Sequence, residues 1–173
     1  SREESVASVQ LDFLSAERFN LSYAASSGGN ARPWIIHRAP LGSHERFVAM
    51  LLEYYDGRLP GWLSPIQLYV LPLSEEQSAP ARDLVERLVG AGIRAKIDEN
   101  AGSLSKRIRF AHRLRPFAKL VLGPKEVDSG MLRLQLRGEE RDIWKANLLD
   151  EMRQLLERPG SLGGSENKET LPA

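Results

Sequence analysis

The chain has 173 residues with 24 basic and 23 acidic side chains, 42% hydrophobic content and no cysteine. That length suffices for one or two globular domains, and the cysteine count excludes disulfides, thiolate nucleophiles and cysteine-based metal sites from this chain. No apolar run approaches the roughly 20 residues needed to cross a bilayer, and the polar start Ser1-Arg2-Glu3-Glu4-Ser5 is no signal peptide, so a cytoplasmic or organellar-matrix protein without a membrane partner is expected.

Alternation in Val9-Gln10-Leu11-Asp12-Phe13 predicts a strand with Gln10 and Asp12 on one face and the apolar residues on the other. Asn20 to Tyr23 reads as a second strand, Ser26 to Asn30 as its turn, and Pro33 to His37 as a third strand returning antiparallel. Ile36 to Phe47 then joins an apolar strand to a tight turn and a helix whose first turns carry Ser43 and Arg46. Helix-start N–H groups and a guanidinium both favour an anion, and Gly42 lets the backbone approach it. Phe47, Met50, Leu51 and Tyr54 recur at helical spacing, which predicts a helix over 43–55 with one buried face, Arg46 off that face, and Gly57 as its stop.

Pro60, Gly61 and Pro65 bracket a short connection, after which strands alternate with helices. The predicted order is a strand at Ile66–Leu71, a helix opened by Ser78 and Pro80 and stopped by Gly92, a strand at Ile93–Ile97 and a helix at about 103–113. Strands at Lys119–Leu122 and Met131–Leu136 follow, then a helix at about 145–157. Parallel strands need helical crossovers, so this order predicts an α/β unit with a mixed sheet and helices on its faces. The glycine-rich, apolar-poor tail is expected to be disordered.

The net charge of +1 hides a local excess: Lys106 to Arg137 holds nine basic residues against Glu126 and Asp128. Such a run is either a solvated helix face or a surface that tracks phosphates, and the second kind of binding weakens steeply with salt.

Several separated stretches carry a resemblance. Val9-Gln10-Leu11-Asp12, His37-Arg38-Ala39, Gly42-Ser43-His44-Glu45-Arg46-Phe47, Pro60-Gly61-Trp62-Leu63 and Gly123-Pro124-Lys125-Glu126-Val127 are similar to the C-terminal part of class II aminoacyl-tRNA synthetases of the threonyl type. The resemblance implies that residues 1–62 are the end of a catalytic domain, an antiparallel-sheet remnant containing the third class motif. It also implies that 63–157 are a mixed, five-stranded-type anticodon-binding domain with three helices, leaving 158–173 as the tail.

By the same resemblance Arg46 would hold ATP phosphate, Gln10 and Ser43 would line the substrate site, and His37 would be one of three zinc ligands, within a longer parent only. Lys106, Arg107, Arg109, Lys125, Glu126, Gln135 and Arg137 would contact the anticodon arm of a threonine tRNA, Glu126 by reading a base. A carboxylate accepts from base amino or imino groups, and an amide such as Gln135 can pair with a base edge. The parent would be a homodimeric threonine–tRNA ligase using zinc and Mg-ATP, with tRNA and no DNA as partner. The chain alone, without the first two class motifs and two zinc ligands, is expected to be catalytically incompetent and to need no cofactor.

The sequence also departs from that pattern. Ser5 and Ala7 stand where a glutamine and a glycine are usual, Ala49 where the motif helix has glycine, Ala101-Gly102 where Asn-Glu is frequent, and Gln135 where an arginine is usual. These changes leave open an alternative: a synthetase-like accessory paralogue that binds RNA or protein without aminoacylation.

Overall fold

The computed structural model describes Ser5 and residues 7–158; the tail read as disordered lies, beyond Arg158, outside the described residues. The chain divides into two compact units, Ser1–Tyr54 and Tyr55–Ala173. No helix among the described residues is long and apolar enough to cross a membrane.

The first unit runs β1 (Ser8–Asp12), a single-turn helix α1 (Ser15–Arg18), β2 (Tyr23–Ala24), β3 (Asn30–Ala31), β4 (Ile35–Ala39) and α2 (His44–Tyr54). β1 pairs antiparallel with β4, which sets Gln10 directly opposite His37. The long hairpin expected between Asn20–Tyr23 and Pro33–His37 is absent: β2 pairs only with β3, and β4 turns to β1 instead. Two local features stop that ladder. Asn20 sits at φ 50, off the extended region, and Pro33, beyond Ala31 on the other side, has no N–H to donate. Gly28 and Gly29, both at φ 85, close the short hairpin.

The helix α2 forms as its spacing predicts, yet none of its residues is buried; Phe47, Met50 and Leu51 are half-covered. Ala16 is the one buried residue among those described in this unit. Two two-stranded ribbons offer too little surface to cover an apolar helix face, so Val9, Phe19, Trp34 and Ile36 also stand exposed.

The second unit contains β5 (Leu68–Pro72), α3 (Ser78–Gly90), β6 (Ala95–Ile97), α4 (Leu104–Leu114), β7 (Ala118–Leu122), α5 (Pro124–Ser129), β8 (Met131–Gln135), β9 (Glu140–Trp144) and α6 (Leu148–Leu155). Its five-stranded sheet has the order β6-β5-β7-β8-β9, parallel across the first three strands and antiparallel across the last three. The mixed α/β architecture is the expected one, with four α-helices where three were expected. The extra helix, α5, has six residues, too few for a periodic stripe, with Pro124 at its start and Gly130 at φ 71 ending it. The strand β9 carries a weak sequence signal because Ile143 is its only buried residue and, Trp144 apart, its exposed positions are charged in the manner of an edge strand.

All five residues of β5 are buried, because both faces of the sheet are covered there. On one face Leu68, Val70, Leu120, Leu122, Leu132 and Leu134 pack with α3 and α6 into the main core. On the other, Ile108 and Ala111 of α4 pack against Tyr69, Leu71 and Val121. The helix α4 therefore covers the β5 side of that second face and leaves the β8–β9 side open: Arg133, Asp142, Glu140 and Trp144 are exposed there, Met131 and Gln135 half-exposed.

Candidate nucleic-acid interface

In the first unit the structure brings Gln10, Asp12 and His37 to one face. Asp12 accepts from the backbone N–H groups of Leu14 and Ser15, both at 2.9 Å, and from the Ser15 hydroxyl, while its second oxygen lies 3.0 Å from His37 Nε2. The Ser15 hydroxyl and N–H, then His37 and Leu14, hold the Asp12 carboxyl far below the usual carboxylate range. Ser43 Oγ accepts the Arg46 N–H at 3.2 Å, so the serine caps α2 and fixes where Arg46 leaves the helix.

A zinc ion in a catalytic site takes three protein ligands and keeps an open position. Among the described residues no three histidine, cysteine or acidic side chains converge in that way, and His37 has only Asp12 beside it. The described residues thus do not by themselves form a three-ligand zinc site.

In the second unit, the residues read as RNA contacts separate into three groups. Arg107 points inward: its Nε donates to Asp98 Oδ2 at 2.5 Å and its Nη2 to the Pro72 carbonyl at 2.8 Å. Tyr69 and Asn100 donate to the other Asp98 oxygen at 2.8 and 2.6 Å. Burial alone would raise the Asp98 pKa, but the hydrogen bonds from Asn100, Arg107 and Tyr69 outweigh it and hold the group below its ordinary value. This network ties the end of β5 to the loop after β6 and to α4, so Arg107 shapes the site from beneath.

The second group is a cationic band. Lys106, Arg109, His112 and Arg113 line a hollow on the outer side of α4. His112 also lines a neighbouring cleft of about 520 Å³, with Arg58, Arg115, Lys119, Arg137 and Arg141. Lys119 Nζ lies 3.1 Å from His112 Nδ1 and links the two, and burial pulls its ammonium below the usual lysine range. Gln135 opens into the same cleft. Among the described residues, Lys106, Arg109 and Arg137 have no ion-pair or hydrogen-bond partner for their side chains, so their charge is available to an anion. One carboxylate, Glu139, lines the cleft, and Arg141 holds it together with Glu151.

Lys125 and Glu126 form the third group, at the opposite end of β7 and β8. Gln135 pairs with Lys119 four residues along β8 from Met131, a strand distance of about 13 Å. Glu126 is half-exposed on α5, where its Oε2 accepts the Gly123 N–H at 2.9 Å and caps the helix. The Arg133 fork donates to Asp142 at 2.8 and 3.2 Å across the β8–β9 pair. Hydrogen bonding to Asp142 above all, then the charges of Asp142, Glu140 and Glu126, raises the Arg133 pKa, which places Glu126 within electrostatic reach of the open sheet face.

Sequence reading missed Arg58, Arg141 and Trp144. The first lies outside the basic run, and the other two lie on the edge strand that was not read as one. The alternation Glu140, Asp142, Trp144 against Arg141 and Ile143 was the available signal.

The family described as "Anticodon binding domain" matches residues 67–155. Curated threonine–tRNA ligases are similar over most of the chain. That of Chlorobium chlorochromatii is 38% identical over 155 residues, 88% of this chain and 24% of its own length. That of Chlorobaculum tepidum is 42% identical over 141 residues, 80% of this chain and 22% of its own. That of Thermoplasma acidophilum is 38% identical over 154 residues, 88% of this chain and 23% of its own. The chain thus spans about a quarter of the length of the relatives it matches. The crystal structure of the RNA binding domain of threonyl-tRNA synthetase from Cryptosporidium parvum superposes with a TM-score of 0.74 at 34% identity, over 89% of this chain and 40% of that one.

Proposed function

The chain belongs to the anticodon-binding-domain family, and from that premise we propose that its second unit grips the anticodon arm of a threonine tRNA as the RNA-recognition end of a threonine–tRNA ligase. The observation that carries this reading is the continuous cationic band through His112, with its partner-free cations Lys106, Arg109 and Arg137. Charges so placed suit the phosphates of an RNA stem and loop, while Glu126 and Gln135 supply acceptor and amide groups for base edges. Unpaired loop bases are splayed and accessible to such groups. ATP contact by Arg46, substrate contact by Gln10 and Ser43, homodimerisation and a cytoplasmic or organellar-matrix location belong to the longer protein in this reading.

Binding of the chain to a threonine tRNA, to other tRNAs, and to those tRNAs carrying a transplanted threonine anticodon tests the proposal. The threonine tRNA should bind more tightly, the transplanted anticodon should carry much of that preference with it, and affinity should fall steeply with salt. Equal binding of all tRNAs would leave a non-specific basic surface and remove anticodon reading.

A further inference from the structure

We propose that Trp144 is a stacking platform for an unpaired RNA base, set on the open face of the β8–β9 ribbon at the Glu126 end of the sheet; the inference rests on the RNA-binding reading above. Trp144 closes β9 opposite Met131, and the residue is 55% exposed. Every other aromatic residue described in this unit is at least half-buried: Tyr69 fully, Tyr55, Trp62, Phe110 and Phe117 partly.

An exposed indole on an edge strand runs against the rule that edges carry charge, and the preceding outward positions of β9, Glu140 and Asp142, obey that rule. The site around the ring is firm. Ile143 anchors β9 in the core, the Lys145 N–H donates to the Gly130 carbonyl at 2.8 Å, and the next pair on the same face of the ribbon is the Arg133–Asp142 fork. Leu73, 41% exposed, and Val127, 39% exposed, lie at the same end of the sheet, after β5 and on α5. Glu126 is there too, with Lys125 beside it, so an apolar ring, a base-reading carboxylate and a cation for the backbone share one edge. That combination of π-face and charge is how sequence-tolerant contacts to single-stranded nucleic acid are built.

The test uses the full chain, an anticodon stem-loop RNA, and the same hairpin with each loop base in turn replaced by an abasic site. Trp144→Leu should weaken the intact hairpin by roughly 5- to 150-fold, the equivalent of about 1–3 kcal/mol for one stacked base, with no change in salt slope because no charge is removed. Trp144→Phe and Trp144→Tyr should retain most of the affinity. One abasic hairpin should bind wild type and Trp144→Leu equally. In a chain carrying Trp34→Phe and Trp62→Phe, where Trp144 is the only indole, the intact hairpin should quench fluorescence and that abasic hairpin should not.

Trp144→Leu binding as tightly as wild type, or Trp144 emission unchanged at saturation, overturns the inference while leaving RNA binding in place. Failure of the wild-type chain to bind the hairpin at all overturns the RNA-binding reading and this inference together.

Discussion

Arg107 and Asp98 form the buried ion pair of the second unit: Nε to Oδ2 is 2.5 Å, with the arginine side chain 13% and the aspartate 0% exposed. Removing one member of such a pair leaves the other charge buried and uncompensated. Arg107→Ala should lower the unfolding free energy of this unit by about 3–5 kcal/mol. Arg107→Lys should recover only part of it, since one ammonium cannot replace the planar fork that serves both Asp98 and the Pro72 carbonyl. Chemical denaturation followed by circular dichroism measures both, and an Arg107→Ala chain as stable as wild type would show that the pair contributes nothing.

The same network sets a pH window. Asp98 is held below its ordinary value of 3.8, so the stability it contributes is complete above that value and is lost as the pH falls through its lower folded value. Tyr69 is shifted the other way, up from 10.0 by burial first and then by Asp98, so its contribution is complete below pH 10 and is lost as the pH climbs above it. Tyr69→Phe should flatten the alkaline fall in stability and Asp98→Asn the acid one. Melting temperatures against pH for the two variants and wild type read this directly, and parallel curves at both ends would contradict it.

Arg109, two residues from Arg107, should behave in the opposite manner. It is exposed and lines the outer hollow of α4, so Arg109→Glu should leave stability within about 0.5 kcal/mol. It should weaken all tRNAs alike and reduce the salt slope by about one for each phosphate that the side chain no longer neutralises. Arg137→Glu at the neighbouring cleft should do the same. Affinity measured against salt for several tRNAs decides the matter, and a weakening confined to one anticodon would move these residues from the backbone to the bases.

The contrast between these two arginines shows what the chain alone could reveal. Helical spacing identified α4 and the charge run identified a basic surface, because both are properties of neighbouring residues. Whether Arg107 turns inward depends on Asp98, nine residues earlier in the loop after β6, and no local pattern carries that. The same limit explains β4, whose partner is β1 and not the nearer β2, and α2, whose apolar stripe signalled a helix but not whether anything would cover it. Glu126 was recognisable from the motif around it, although its bond to Gly123 followed only from the three-residue loop back to the helix start.

That bond makes Glu126 separable into two roles. Its Oε2 caps α5 through the Gly123 N–H, and a Cβ on residue 123 would meet that oxygen at 2.9 Å, so glycine there is what lets the carboxylate close over the helix start. Glu126→Ala removes both the cap and any base contact; it should cost about 1 kcal/mol of stability and about 1–3 kcal/mol of discrimination between anticodons. Glu126→Gln keeps a carbonyl oxygen for Gly123 but replaces the second acceptor with a donor. It should therefore hold stability near wild type while losing the same discrimination, because a base amino or imino group would then face an N–H. Binding of stem-loops differing in one anticodon base, set beside the melting temperature of each variant, resolves the two roles. If Glu126→Gln discriminated as well as wild type, the carboxylate would be a cap alone.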